Sequence, residues 1–191
     1  TTIADTALFD PATNTWRKGP DLPAPRHHIL LAAAGERVYG FGGFVGESLQ
    51  NGFQFRDDVY AFDGEAWGRV GSMPTPLGET VACSLDGRVH LVTGSLHGND
   101  AQGETGTHLV YDPEADAWSE AAPAPTARSS ATGAVIDGQI YVAGGRTTSD
   151  GITNLGALER YDPTTDAWTE LRPLPQPSGG LAGGPGRHPL R

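Results

Sequence analysis

A chain of 191 residues with 27 glycines, 15 prolines and 19% charged residues is long enough for one domain with a real core, and its composition suits many tight turns. A net charge of −10 argues against a nucleic-acid backbone or an anionic membrane as general partner, and no apolar stretch approaches the length of a membrane span. Cys83 stands alone, which excludes an internal disulfide and a thiolate metal cluster; its apolar surroundings predict an inert buried thiol.

Taken in order, residues 1–25 read as half of a four-stranded unit, with a strand over 4–9, a turn at Asp10-Pro11-Ala12-Thr13-Asn14 and a strand around Trp16. Pro11 presets φ for that turn and Asn14 tolerates a left-handed backbone. Residues 26–76 read as a complete unit: strands at about 28–34, 37–41 and 58–62, a fourth around Trp67, and a long loop over 44–56. Asp63-Gly64 is read there as a two-residue hairpin. Residues 77–127 repeat the unit with a loop at about 95–106, and residues 128–177 repeat it with a loop at about 146–156. Residues 178–191 begin another first strand, then turn to Gly183-Gly184-Pro185-Gly186, which predicts a frayed or truncated unit. The chain starts inside a repeat, so its first residues give no reading of cellular location.

The register of the repeat is strict. Trp16, Trp67, Trp118 and Trp168 are 51, 51 and 50 residues apart, and Gly43, Gly94 and Gly145 are 51 and 51 apart. Tyr39, His90 and Tyr141 keep the same step, as do Arg26, Leu77 and Arg128. A period near fifty is that of a propeller blade. With Gly42-Gly43, Thr93-Gly94 and Gly144-Gly145, and with Phe9-Asp10-Pro11, Phe62-Asp63-Gly64, Tyr111-Asp112-Pro113 and Tyr161-Asp162-Pro163 each followed by its Trp, the chain resembles the kelch-repeat β-propeller family over about residues 2–180. The resemblance implies an all-β, partial kelch-type β-propeller: three full four-stranded blades plus partial terminal blades. It leaves function open, because kelch-like propellers include ligase adaptors, actin binders, sialic-acid mutarotases and copper oxidases. Continuous apolar runs such as Ala134-Val135-Ile136 fit strands covered on both faces. The paired glycines fit a backbone lying against the next sheet.

In such a blade the long loops and the blade-to-blade connections share one face, which makes that face the functional candidate. The first strands line the channel, so Arg26, Leu77, Arg128 and Ser178 are expected at its mouth, with His28, Glu79, Ser130 and Gly180 two residues further on. Arg26 and Arg128 have two roles open to them. They could pair bidentately with a ligand carboxylate or phosphate, or brace the neighbouring loops through backbone carbonyls. Ser130, Arg56, His97 and Arg146 complete the expected ligand-binding set, and His28 and Glu79 are the candidate acid and base. His27-His28 does not read as a metal pair, since adjacent side chains diverge on a strand. His90 reads as a core histidine. His97, Asp100, Glu104 and His108 fall in the third loop, where they could rim a pocket. No cofactor and no metal are expected.

Two functions follow. One is a binding or interaction module whose partner is a protein or a small anionic ligand. The other is a sugar-acid mutarotase or epimerase, implied by similarity to the sialic-acid mutarotase branch. The terminal blades are expected to expose apolar faces, which calls for the remainder of a larger propeller or a homo-oligomer.

Overall fold

The computed structural model describes the backbone of residues 2–46, 53–97 and 102–183, with the side chains of His97 and Gln102 left out. It is all-β, with no helix among the described residues. The half blade is a hairpin of β1 (Ala7–Asp10) and β2 (Thr15–Lys18). The first full blade runs, from the channel outward, through β3 (Leu30–Ala34), β4 (Arg37–Phe41), β7 (Asp58–Phe62) and β8 (Trp67–Ser72), with a small hairpin of β5 (Phe44–Val45) and β6 (Gln54–Phe55) above it. The second is β9 (Val81–Leu85), β10 (Arg88–His97), β11 (Gln102–Asp112) and β12 (Ala117–Glu120). The third is β13 (Thr132–Ile136), β14 (Gln139–Ala143), β17 (Leu158–Asp162) and β18 (Ala167–Glu170), topped by β15 (Arg146–Thr147) and β16 (Thr153–Asn154).

The core lies between blades. One cluster joins the first and second blades through Ala32, Tyr39, Phe41, Leu77, Val89, Leu91, Leu109 and Tyr111. Another joins the second and third through Val81, Cys83, Val92, Ile140, Val142 and Tyr161. Burial pushes the Cys83 thiol up to about 11, so it is the inert buried thiol expected. Each later Trp reaches back to the preceding blade. Trp67 Nε1 donates to Thr6 Oγ1 at 3.0 Å, Trp168 Nε1 donates to the Ala122 carbonyl at 2.7 Å, and Trp118 meets Phe41 edge-on at 6.0 Å. Trp16 is 69% exposed beside Phe9.

The glycine pairs work as their position suggests. A Cβ on Gly42 would lie 2.4 Å from the Leu77 carbonyl oxygen, and one on Gly144 would lie 2.5 Å from that of Ser178. The N–H of the second member donates to the next blade: Gly43 to Leu77 O at 3.1 Å, Gly94 to Arg128 O at 2.8 Å, Gly145 to Ser178 O at 2.8 Å. Thr93 occupies the first position in the second blade and keeps the left-handed conformation of its equivalents, with φ 59 against 55 at Gly42 and 65 at Gly144.

Three expectations need correction. The three loops that follow the glycine pairs are partly hairpin extensions of the blades, formed by β5 with β6, by the long upper halves of β10 and β11, and by β15 with β16. His108 accordingly sits in the core as part of β11 rather than in a loop. Phe62 pairs with Trp67, so Asp63-Gly64 opens a four-residue turn, closed by Asp63 Oδ1 accepting from the N–H groups of Glu65 and Ala66 at 2.9 Å. The first strands begin two residues later than predicted, at Leu30, Val81 and Thr132, because the residue two places ahead of each is left-handed: φ is 50 at His28, 53 at Glu79 and 53 at Ser130, and Gly180 at the equivalent position has φ 69.

Candidate functional site

Those four left-handed residues form the inner ring of the mouth. A left-handed residue at this point turns the chain from the connection into the first strand, and the backbone links the ring from blade to blade. Ser130 N–H donates to the Glu79 carbonyl at 3.0 Å, and Gly180 N–H donates to the Ser130 carbonyl at 2.9 Å. Only Gly180 takes this conformation at no steric cost. The residues just after the glycine pairs (Phe44, Ser95 and Arg146) form a second ring, bridged to His27, Gly78 and Ser129.

Side chains from the two rings meet at Glu79. Its Oε2 accepts from Ser130 Oγ at 2.8 Å, its Oε1 accepts from Arg146 Nη2 at 2.9 Å, and His28 Nε2 stands 3.8 Å from Oε1. Burial acts to raise the Glu79 carboxyl, but the Ser130 hydrogen bond and the charge of Arg146 outweigh it and hold the group below its ordinary value. Glu79 is thus an ionised carboxylate with two fixed donors, a state suited to bracing and poorly suited to delivering a proton. Its side chain is 13% exposed, against 30% for Arg146 and 54% for His28. What faces solvent is therefore the arginine and the imidazole, with the carboxylate beneath them. Beside this polar sector lies an aromatic one: His28 stacks on Phe44 at 4.7 Å, and Phe44 packs on Phe53 at 4.5 Å and on Phe55 at 5.3 Å.

The structure brings together four of the expected residues, His28, Glu79, Ser130 and Arg146, and gives Arg26, Arg128 and Arg56 other partners. Arg26 is buried, ion-paired with Asp58 and within 3.2 Å of Tyr60 Oη. Burial works against the Asp58 carboxylate, but Arg69 and Arg26 hold it well below the usual range. Arg128 is fully buried against Glu159 at 2.9 Å and donates to the Val142 carbonyl at 3.2 Å. Both arginines are held within their own blade by carboxylates, rather than by the neighbouring loops' backbone carbonyls that the bracing expectation named. Arg56 donates to Gln54 Oε1 at 3.1 Å. The side chain of His97, and the whole of Asp100, lie outside the described residues. His27 and His28 have ring centroids 6.2 Å apart, and no group of three metal-ligating side chains occurs among the described residues.

Sequence reasoning missed the acidic partners. The signal was present at Glu159, a charge inside a strand at the position where the second blade has Leu109. The second blade shows the same logic in reverse. It has Leu77 where the others have arginine, and Leu109 at the position of Glu159, and both leucines are buried in one cluster.

A model of the KLHDC2/KLHL20/DRC7 Kelch-repeats domain matches residues 1–183. The chain belongs to the kelch-repeat family. It is 34% identical over 149 residues to Kelch-like protein 40 of Mus musculus, covering 76% of this chain and 23% of that protein. It is 35% identical over 117 residues to Kelch-like ECH-associated protein 1A of Danio rerio, covering 59% of this chain and 18% of that protein. The chain thus spans about a fifth of the length of these curated relatives. The solved structure of YjhT superimposes with a TM-score of 0.74 at 17% identity, over 93% of this chain and 67% of that one, which shows a shared fold. No helix among the described residues is long and apolar enough to cross a membrane.

Proposed function

We propose that this kelch chain is a recognition module, and that its partner is a protein segment whose carboxylate docks on Arg146 and His28 at the channel mouth. The observation that carries this reading is the layering of the cluster. Glu79 lies beneath, fixing Arg146 through a charge-assisted hydrogen bond, while the Arg146 side chain, though its Nε is buried and unpartnered, and the His28 ring keep 30% and 54% of their surface open to solvent. An arginine held in one geometry loses less freedom on binding, which favours affinity. The Phe53 and His28 rings beside it offer an apolar seat for a neighbouring residue of the segment. Arg26 and Arg128 contribute by holding the blades in place, without touching the ligand.

The test is a display selection for peptides that bind the chain, followed by calorimetry with each selected peptide and its Glu→Gln or Asp→Asn version. Arg146→Ala is expected to weaken acidic peptides about tenfold or more while leaving the neutralised versions nearly unaffected, the scale of one charge-assisted contact. Peptides that bind equally well to both proteins would place recognition elsewhere. The 3.8 Å approach of His28 to Glu79 favours a second reading, a sugar-acid mutarotase in which Arg146 holds the carboxylate and His28 moves the proton. Anomerisation of a sugar-acid panel followed by NMR separates the two readings, since a binding module leaves the rate unchanged.

A further inference from the structure

The junction between the second and third full blades contains a feature that the junction between the first and second lacks. The first and second blades meet through Tyr39, Phe41, Val59, Tyr111 and Trp118, all apolar or aromatic. At the equivalent places in the next junction, Tyr39 is replaced by His90 and Val59 by His108. His90 is 6% and His108 1% exposed, and their Nδ1 and Nε2 atoms are 2.8 Å apart. The His108 ring is edge-on to Tyr161 at 4.6 Å and to Trp168 at 5.8 Å, both from the third blade.

One arrangement of protons satisfies this geometry when both rings are neutral. His108 Nδ1 lies 3.2 Å from the Ala122 carbonyl, which can only accept, so His108 carries its proton on Nδ1. Its Nε2 is then the acceptor for His90 Nδ1–H. The Ala122 carbonyl also accepts from Trp168 Nε1, and the Ala122 N–H donates to Asp166, which in turn accepts from the Tyr161 hydroxyl. The imidazole pair is therefore one end of a chain of donors that ties the second blade to the third. A proton added to His108 Nε2 would point at His90 Nδ1–H and break the chain. A proton added to His90 Nε2 would place a cation in the same buried junction.

We infer that this histidine pair makes the junction between the second and third blades an acid-sensitive joint, closed at neutral pH and opened by protonation, while the joint between the first and second blades stays closed. The groups facing the pair are few. Arg88 on β10 opposes a proton, and Asp86 in the preceding turn and Asp166 from the third blade favour one. Glu120 of β12 lines the adjoining groove. Burial dominates, and it lowers both imidazoles to about 4. The joint also underlies the candidate site, because the contacts of Glu79 with Ser130 and Arg146 cross from the second blade to the third. Opening it dismantles the mouth cluster as well.

Hydrogen exchange by mass spectrometry on the full chain, corrected for the intrinsic pH dependence of exchange, tests the joint without any ligand. Between pH 7 and pH 4, peptides covering 105–125 and 157–170 are expected to lose at least tenfold in protection, while peptides covering 37–41 and 58–72 keep theirs. The double variant His90→Tyr, His108→Val, which copies the first blade, is expected to abolish the difference. Uniform loss across all blades, or full protection of the wild type at pH 4, would overturn the inference. Imidazole 15N NMR of the wild type needs no variant. It is expected to show His108 as the Nδ1–H tautomer with both rings neutral down to pH 5. A ring that titrates near 6.5 while the junction peptides stay protected would also overturn it.

Discussion

Thr93 is the position where backbone and side chain disagree most sharply. It is β-branched, fully buried and held at φ 59, and its Oγ1 has no hydrogen-bond partner. The equivalent residues, Gly42 and Gly144, take the same conformation without a Cβ. Replacing Thr93 with glycine removes a left-handed penalty of about 1–2 kcal/mol and an unsatisfied buried hydroxyl worth about 1 kcal/mol or more. Against this stand about 1 kcal/mol of lost methyl burial and about 0.5–1 kcal/mol for the greater freedom of glycine in the unfolded chain. The carbonyl of residue 93, which accepts from Thr80 Oγ1 at 2.7 Å, is unaffected. The balance is a stabilisation of roughly 1 kcal/mol, or about 2–4 °C in Tm for a chain of this size. Calorimetry on wild type, Thr93→Gly and Thr93→Ala would measure it. Alanine removes the hydroxyl but keeps a Cβ on the left-handed backbone, so the glycine–alanine difference isolates the strain. A glycine variant no more stable than the alanine variant would refute the reasoning, because the fold would then be absorbing the conformation without cost.

Arg128→Ala should cost about 3–5 kcal/mol by leaving Glu159 buried without its partner, whereas Arg128→Leu with Glu159→Leu should be close to neutral, since the second blade already carries Leu77 and Leu109 there; urea unfolding of both variants gives the comparison. Glu79→Gly fits the left-handed backbone, so it should leave Tm within a few degrees while releasing Arg146 and weakening acidic peptides, which calorimetry reads directly. Stability should fall with acid before the carboxylates matter. The two imidazoles are lowered from 6.5 to about 4, so their contribution is present above about pH 6.5 and is lost as the pH drops toward 4, by at most about 3 kcal/mol for one ring. Urea midpoints flat from pH 7 to 4.5 would contradict that.

How much of this was legible in the sequence depends on which part of each residue carries the message. Backbone requirements were plain. Asn14, Asp116 and Asp166 all close their turns with left-handed φ of 55, 48 and 48, and the glycine pairs stand where a Cβ would strike the next blade. Such constraints are local and recur from one copy of the repeat to another, so their spacing exposed them. Pairings between side chains were harder to read. Arg26 and Arg128 occupy equivalent positions, yet one meets Asp58 and Tyr60 and the other meets Glu159, and neither partner is adjacent in sequence. The acidic partner decides whether an arginine is a brace or a ligand contact, and it lies about 30 residues away across two strands.

The mouth cluster follows from the same distinction. The left-handed position is a property of the blade, shared by His28, Glu79, Ser130 and Gly180, so its conformation says nothing about function by itself. The information is in which residues bear that cost without being glycine. Three of the four do, and each presents a polar side chain to the same cluster. If stability alone governed the position, glycine would serve in every blade. His28, Glu79 and Ser130 are therefore best explained by the cluster their side chains form, in which Glu79 accepts from both Ser130 and Arg146 and His28 Nε2 stands 3.8 Å away.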